Sequence, residues 1–112
     1  MMKPEYCYHA TVQKIVDADT IDLLIDCGFS IQMKQRIRVA DIDAWEVRGE
    51  EREKGLLAKK FVEDLIPVGS NVIVKTGKDK GKYGRYIGRI YYGDVDLSQV
   101  LVENGHAEFV EY

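Results

Sequence analysis

Cysteine, histidine and long apolar runs are all scarce in this 112-residue chain, and each scarcity removes a class of protein. Only Cys7 and Cys27 are present, so neither a disulfide framework nor a Cys-x-x-Cys metal pair can be built. Two reduced, mostly buried thiols are expected instead. No stretch approaches the ~18 consecutive apolar residues of a membrane span. The segment Met1 to Tyr8 lacks the apolar core of a signal peptide, so a cytoplasmic location is expected. His9 and His106 stand at opposite ends of the chain without neighbouring ligands, which argues against a metal centre built on histidine. No repeat, low-complexity tract or Pro/Ser-rich linker interrupts the chain, and one domain spanning residues 1–112 is expected.

What is present describes a folded protein. The apolar fraction is 46% and the charged fraction 31%, the balance of a globular rather than a disordered chain. A chain this long buries roughly two-thirds of its unfolded surface and needs no staple to fold. The net charge of −3 opposes tight, non-specific binding to nucleic acid. Its distribution is uneven, however. Lys75, Lys78, Lys80, Lys82, Arg85 and Arg89 face only Asp79, whereas residues 94–112 carry acids and no Lys or Arg. Such asymmetry suits either a local cationic face on an acidic protein or an ordinary solvated turn.

Periodicity outlines the elements. His9 to Val16 reads as a strand, Asp17-Ala18-Asp19 interrupts it, and Thr20 to Asp26 reads as a second. Cys27-Gly28-Phe29 suits a hairpin turn. Beyond it Ile31, Met33, Ile37 and Val39 alternate with polar residues as a third strand. Ala40 to Arg52 has neither period and reads as a loop. Leu57, Ala58, Phe61, Val62 and Leu65 share one helical face, and Pro67 ends that helix. Glu50, Glu51 and Glu53 near its start suit the macrodipole. Asn71 to Lys75 and Tyr86 to Tyr92 read as strands four and five. Asp96 as N-cap with Gln99 three residues on predicts a capping box, and Gly105 suits the position after the second helix. Phe109 and Val110 are expected to be extended. The fold class expected is α+β, mainly β: a five-stranded barrel of the OB type with two helices.

Three short stretches carry the chemistry: Asp19-Thr20, Arg38 through Glu46, and Lys82-Tyr83-Gly84-Arg85. Together they offer two carboxylates for a hard metal ion, a further carboxylate and two guanidinium groups, the set that metal-assisted attack on a phosphodiester needs. The chain resembles the staphylococcal nuclease (thermonuclease) family on four motifs in order: Val16 to Thr20, Arg38 to Glu46, Lys82 to Arg85, and Leu101 to Ala107. The likeness runs from about His9 to Val110.

The resemblance implies an OB-fold barrel and calcium-dependent hydrolysis of DNA and RNA that leaves 3′-phosphate ends. Asp19, Asp43 and the backbone carbonyl of Ala44 would hold Ca²⁺. Arg38 and Arg85 would grip the scissile phosphate, and Glu46 would act as general base or position the attacking water. Lys82 and Tyr83 would contact a terminal phosphate, and Thr20 would orient Asp19. Arg36, Arg48, Arg52 and Arg89 suit surface ion pairs, and Asp41 receives no site role. The partner implied is DNA or RNA, single-stranded or locally open, with no membrane partner. The alternative is a catalytically weak or inactive barrel module that binds nucleic acid or protein. A barrel serving oligomerisation alone is a third, and it predicts no metal affinity at Asp19 and Asp43. Trp45 stands where the family usually has Pro, and either packs over the site or stacks on a base. The family's late base-stacking tyrosines have no in-register counterpart, since Glu111 and Tyr112 are offset by one.

Overall fold

The computed structural model describes residues 6–45, 49, 52–77 and 86–110. Three antiparallel strands open the chain: β1 (Tyr6–Asp17), β2 (Thr20–Asp26) and β3 (Gln32–Val39). A short β4 (Ile42–Ala44) precedes α1 (Arg52–Leu65), then β5 (Asn71–Thr76), β6 (Tyr86–Tyr92) and β7 (Val95–Asp96). The chain continues through α2 (Leu97–Glu103) to β8 (Ala107–Phe109). The main sheet runs β3-β2-β1-β5-β6, extended by β7, and β3 pairs again with β6, closing five strands into a barrel. Closure is parallel, with Ile37, Arg38 and Val39 beside Tyr86, Ile87 and Gly88. The expected OB-type architecture is therefore the one observed.

Alternation explains the core. Even-numbered Ala10 and Val12 of β1, and odd-numbered Ile21, Leu23 and Ile25 of β2, point into the barrel and are buried. A register shift between Val12 and Lys14 is a β-bulge that lets Ile15 face inward as well. Ile37, Val39, Val72, Val74 and Ile90 complete the interior. Fully burying such a side chain contributes about 1.5–3 kcal/mol. The far mouth of the barrel keeps a hollow of about 210 Å³ between Tyr6, Tyr8 and Tyr86.

Several sequence expectations need correction. β1 starts at Tyr6, three residues before the expected His9. The stretch read as loop contains β4, which pairs with β8 through Ile42–Phe109, Asp43–Glu108 and Ala44–Ala107. On α1 the buried residues are Gly55, Ala58 and Val62, while Leu57 is 64% exposed, so the inward face is rotated from the one read off the sequence. Cys7 is exposed because it lies on the outward phase of β1, and Cys27 is half-buried; both are free. Glu50, Glu51 and Arg48 lie outside the described residues.

At α2 the expected cap is present but not the whole box. Asp96 Oδ1 accepts from the Ser98 amide at 3.0 Å, whereas Gln99 donates along the helix to Glu103. Gly105, at φ +74°, ends the helix in a Schellman arrangement: its amide donates to the Val102 carbonyl and that of His106 to Leu101. Asp96 Oδ2 also accepts from Arg89 at 2.7 Å. Asp96→Ala is expected to cost about 1–2 kcal/mol by removing the cap, and Asp96→Asn, which keeps an accepting oxygen, less than half of that. Urea denaturation of the two variants checks the order.

Candidate functional site

The turn between β1 and β2 buries a carboxylate at the barrel rim. Asp19 is 8% exposed, yet each of its oxygens has a donor. Oδ1 accepts from the Thr20 hydroxyl at 3.2 Å, and Oδ2 from the Ala44 amide at 3.0 Å. Arg38 Nη1 lies 2.9 Å from the same Oδ2. The backbone secures the turn too, because the Val39 amide donates to the Asp19 carbonyl at 2.8 Å.

Arg38 is fixed by register. It pairs with Thr20 across β2–β3 and with Ile87 across the barrel seam. Its side chain is 12% exposed, and its second terminal nitrogen lies 3.3 Å from Asp43 Oδ1. One guanidinium thus spans the buried Asp19 and the exposed Asp43, the geometry that a planar fork of donors suits. β4 presents Asp43 outward and Ala44 inward, and its pairing with β8 holds both against the rim.

These residues line a polar hollow of about 180 Å³ that also takes in Asp17 and Trp45. Sequence reasoning assigned Asp17 no role; the signal available was its place two residues before Asp19 in the same acidic turn. Asp17 Oδ1 is buried and has no hydrogen-bond partner among the described residues. Three carboxylates outnumber the single guanidinium among the described lining. That all-oxygen, anionic donor set and the unsatisfied Asp17 oxygen fit a hard divalent cation. Among the described residues, no three His, Cys, Asp or Glu are already clustered as metal ligands. The guanidinium occupies the space between Asp19 and Asp43 instead.

Of the residues singled out in the sequence, Asp19, Thr20, Arg38, Asp43 and Ala44 come together here. Glu46, Lys82, Tyr83 and Arg85 lie outside the described residues. Tyr86, which follows Arg85 in sequence, begins β6 beside Ile37, one register position from Arg38. The remaining arginines with described ion pairs stand apart. Arg36 bonds Asp22 at 2.8 Å on the outer face, and that bond and the charge of Asp22 raise its pKa. Arg89 bonds Asp96 and Asp41; burial works against its charge, but the two carboxylates outweigh it and raise its pKa. Asp41, in the left-handed region at φ +63°, is therefore engaged by Arg89.

Trp45 extends the rim. Its indole Nε1 donates to the Gly105 carbonyl at 3.1 Å, and the Lys54 ammonium lies 4.8 Å from its ring centroid. Trp45 also lines a second hollow, of about 240 Å³, with Lys54, Leu57, Gly105 and His106. His106 packs on Phe61 with ring centroids 4.7 Å apart. No helix among the described residues is long and apolar enough to cross a membrane.

No curated protein matches the chain. Residues 36–112 match the sequence model of the family described as staphylococcal nuclease homologue. The matched span takes in Arg38, Asp43 and Ala44, and it begins after the turn that carries Asp19. With more than half of its length matched, the chain belongs to the staphylococcal nuclease homologue family, a family of nuclease-like and nucleic-acid-binding domains.

Proposed function

We propose that the 112 residues form a single nuclease domain that hydrolyses DNA or RNA, single-stranded or locally open, in a Ca²⁺-dependent reaction leaving 3′-phosphate ends. The observation that carries the reading is Arg38 held between Asp19 and Asp43 at the rim of an acid-lined hollow.

Asp19, Asp43 and the Ala44 carbonyl would hold the calcium ion. When bound, it supplies positive charge that draws the substrate phosphate in and offsets the charge developing on its oxygens. Thr20 keeps the Asp19 carboxylate oriented through its 3.2 Å hydrogen bond. Arg38 and Arg85 donate to the equatorial oxygens of the reacting phosphate, where negative charge accumulates. A preorganised donor of this kind is worth about 3–4 kcal/mol of barrier. Glu46 takes a proton from the attacking water as its oxygen bonds to phosphorus. The P–O5′ bond breaks, the 5′ oxygen gains a proton, and the phosphate stays on the 3′ oxygen. Lys82 and Tyr83 bind a neighbouring terminal phosphate. A reducing, cytoplasmic setting suits the free thiols Cys7 and Cys27.

The alternative, a binding module without catalysis, is separated from this reading by a nuclease assay with Ca²⁺, with chelator, and with Glu46→Gln. Cleavage is expected to depend on the metal and to fall about a hundredfold in Glu46→Gln. Undiminished cleavage in excess chelator, or an unimpaired Glu46→Gln protein, would overturn the corresponding assignment. Calcium titration of Asp19→Asn adds a readout independent of activity, with weaker binding expected. The net charge of −3 further predicts modest affinity for nucleic acid with a shallow salt dependence.

A further inference from the structure

Trp45 is the wall shared by two hollows of opposite character. It lines the polar hollow of Asp17, Asp19 and Arg38, and also the larger one lined by Leu57, Lys54 and His106. Its Nε1 donates to the Gly105 carbonyl at 3.1 Å, and its backbone amide lies 3.4 Å from the His106 carbonyl. Ala44, the preceding residue, is itself tied to Asp19 through its amide.

We infer that Trp45 and the hollow beside it form a subsite for the nucleobase adjacent to the phosphate being cut. The inference rests on the nuclease reading above and adds to it the way the strand is held. Three observations favour a base as occupant. The first is adjacency, since Trp45 lines both this hollow and the acid hollow. The second is shape and polarity, since the hollow of about 240 Å³ offers an aromatic surface and the exposed side chain of Leu57. A flat heterocycle buries its π faces on such surfaces. The third is charge, because the Lys54 ammonium, 4.8 Å from the ring centroid, brings a cation to the same hollow. A stacking base takes the place of that ammonium over the ring, and the base's own phosphate gives the displaced cation a partner.

Because every base has a π face, the subsite holds the strand without selecting its sequence. This places the aromatic contact with substrate next to the metal-binding acids, on the residue that follows Ala44.

Trp45 is the sole tryptophan of the chain, so its fluorescence reports the subsite directly. Wild-type protein is mixed by stopped flow, in calcium and in chelator, with a six-nucleotide single strand and with an abasic strand of the same phosphate count. Saturable quenching is expected with the base-bearing strand and not with the abasic one. Trp45→Ala is expected to raise KM about 5- to 150-fold, and Trp45→Phe, which keeps an aromatic face, much less. Equal quenching by both strands, or an unchanged KM in Trp45→Ala while wild type cleaves normally, overturns the subsite and leaves the nuclease reading standing. Base-dependent quenching without any cleavage by wild type supports the subsite and overturns the nuclease reading. Quenching by an aromatic peptide and not by the oligonucleotide assigns the hollow to a protein partner and overturns the proposal.

Discussion

Arg38→Ala is expected to slow phosphodiester cleavage by about 10²–10³-fold and to lower stability by about 3 kcal/mol. Both effects have one origin. Arg38 is 12% exposed and lies 2.9 Å from a carboxylate equally removed from water. Removing one partner of such a pair leaves a charge stranded away from solvent, which costs more than the pair was worth. The Thr20 hydroxyl and the Ala44 amide remain on Asp19 and keep the loss toward the lower end of the range for buried pairs. The chemistry loses a donor that meets two oxygens at once. Arg38→Lys separates the two effects, because an ammonium still neutralises Asp19 but cannot meet two phosphate oxygens as a fork. It is expected to recover most of the stability and little of the rate. Urea denaturation and steady-state kinetics on single-stranded DNA measure the two quantities. A lysine variant as fast as wild type would remove the fork from the argument.

The elements that could be read before the structure were those whose pattern is local. β2 places Ile21, Leu23 and Ile25 at alternate positions between Thr20 and Asp26, and its bounds are the ones expected. The N-cap at Asp96 and the Gly105 terminus follow from the chemistry of one turn each. β4 and β8 were illegible because three residues carry no period, and Ile42–Ala44 becomes a strand only by meeting Ala107–Phe109, more than sixty residues later. The inward face of α1 was misread for a related reason. Leu57 outranks Gly55 in hydropathy, yet the helix buries Gly55 with Ala58 and Val62 against the barrel, and leaves Leu57 beside Trp45. At the site, Asp19, Arg38 and Asp43 were legible as a combination of residue types. That Arg38 bridges the two acids, and that Trp45 lines both a polar hollow and a more apolar one, depends on the β3–β6 seam and the β4–β8 pair.

That seam narrows to a single residue without a side chain. A Cβ on Gly88 would stand 2.9 Å from Val74 Cγ2 and 3.2 Å from Cγ2 of both Ile37 and Thr76. All three are methyls of β-branched residues, whose χ1 has little freedom to yield. Gly88→Ala is therefore expected to destabilise by about 2 kcal/mol, an overpacking cost. The strain falls where function is assembled. Gly88 pairs with Val39 on one side and Thr76 on the other, and its carbonyl accepts from the Ala40 amide at 2.9 Å. Pushing β3 away from β6 displaces Arg38, whose register partner is Ile87, and strains the bond from the Val39 amide to Asp19. Activity should therefore drop in Gly88→Ala even under conditions where the protein stays folded. Val74→Ala removes the methyl that the new Cβ would meet at 2.9 Å, so the double variant is expected to lose less stability than the two single changes summed, by about 1 kcal/mol. Strict additivity in urea denaturation would show that β6 relaxes by another route, and that the close approach at Gly88 does not govern how the barrel shuts against the site.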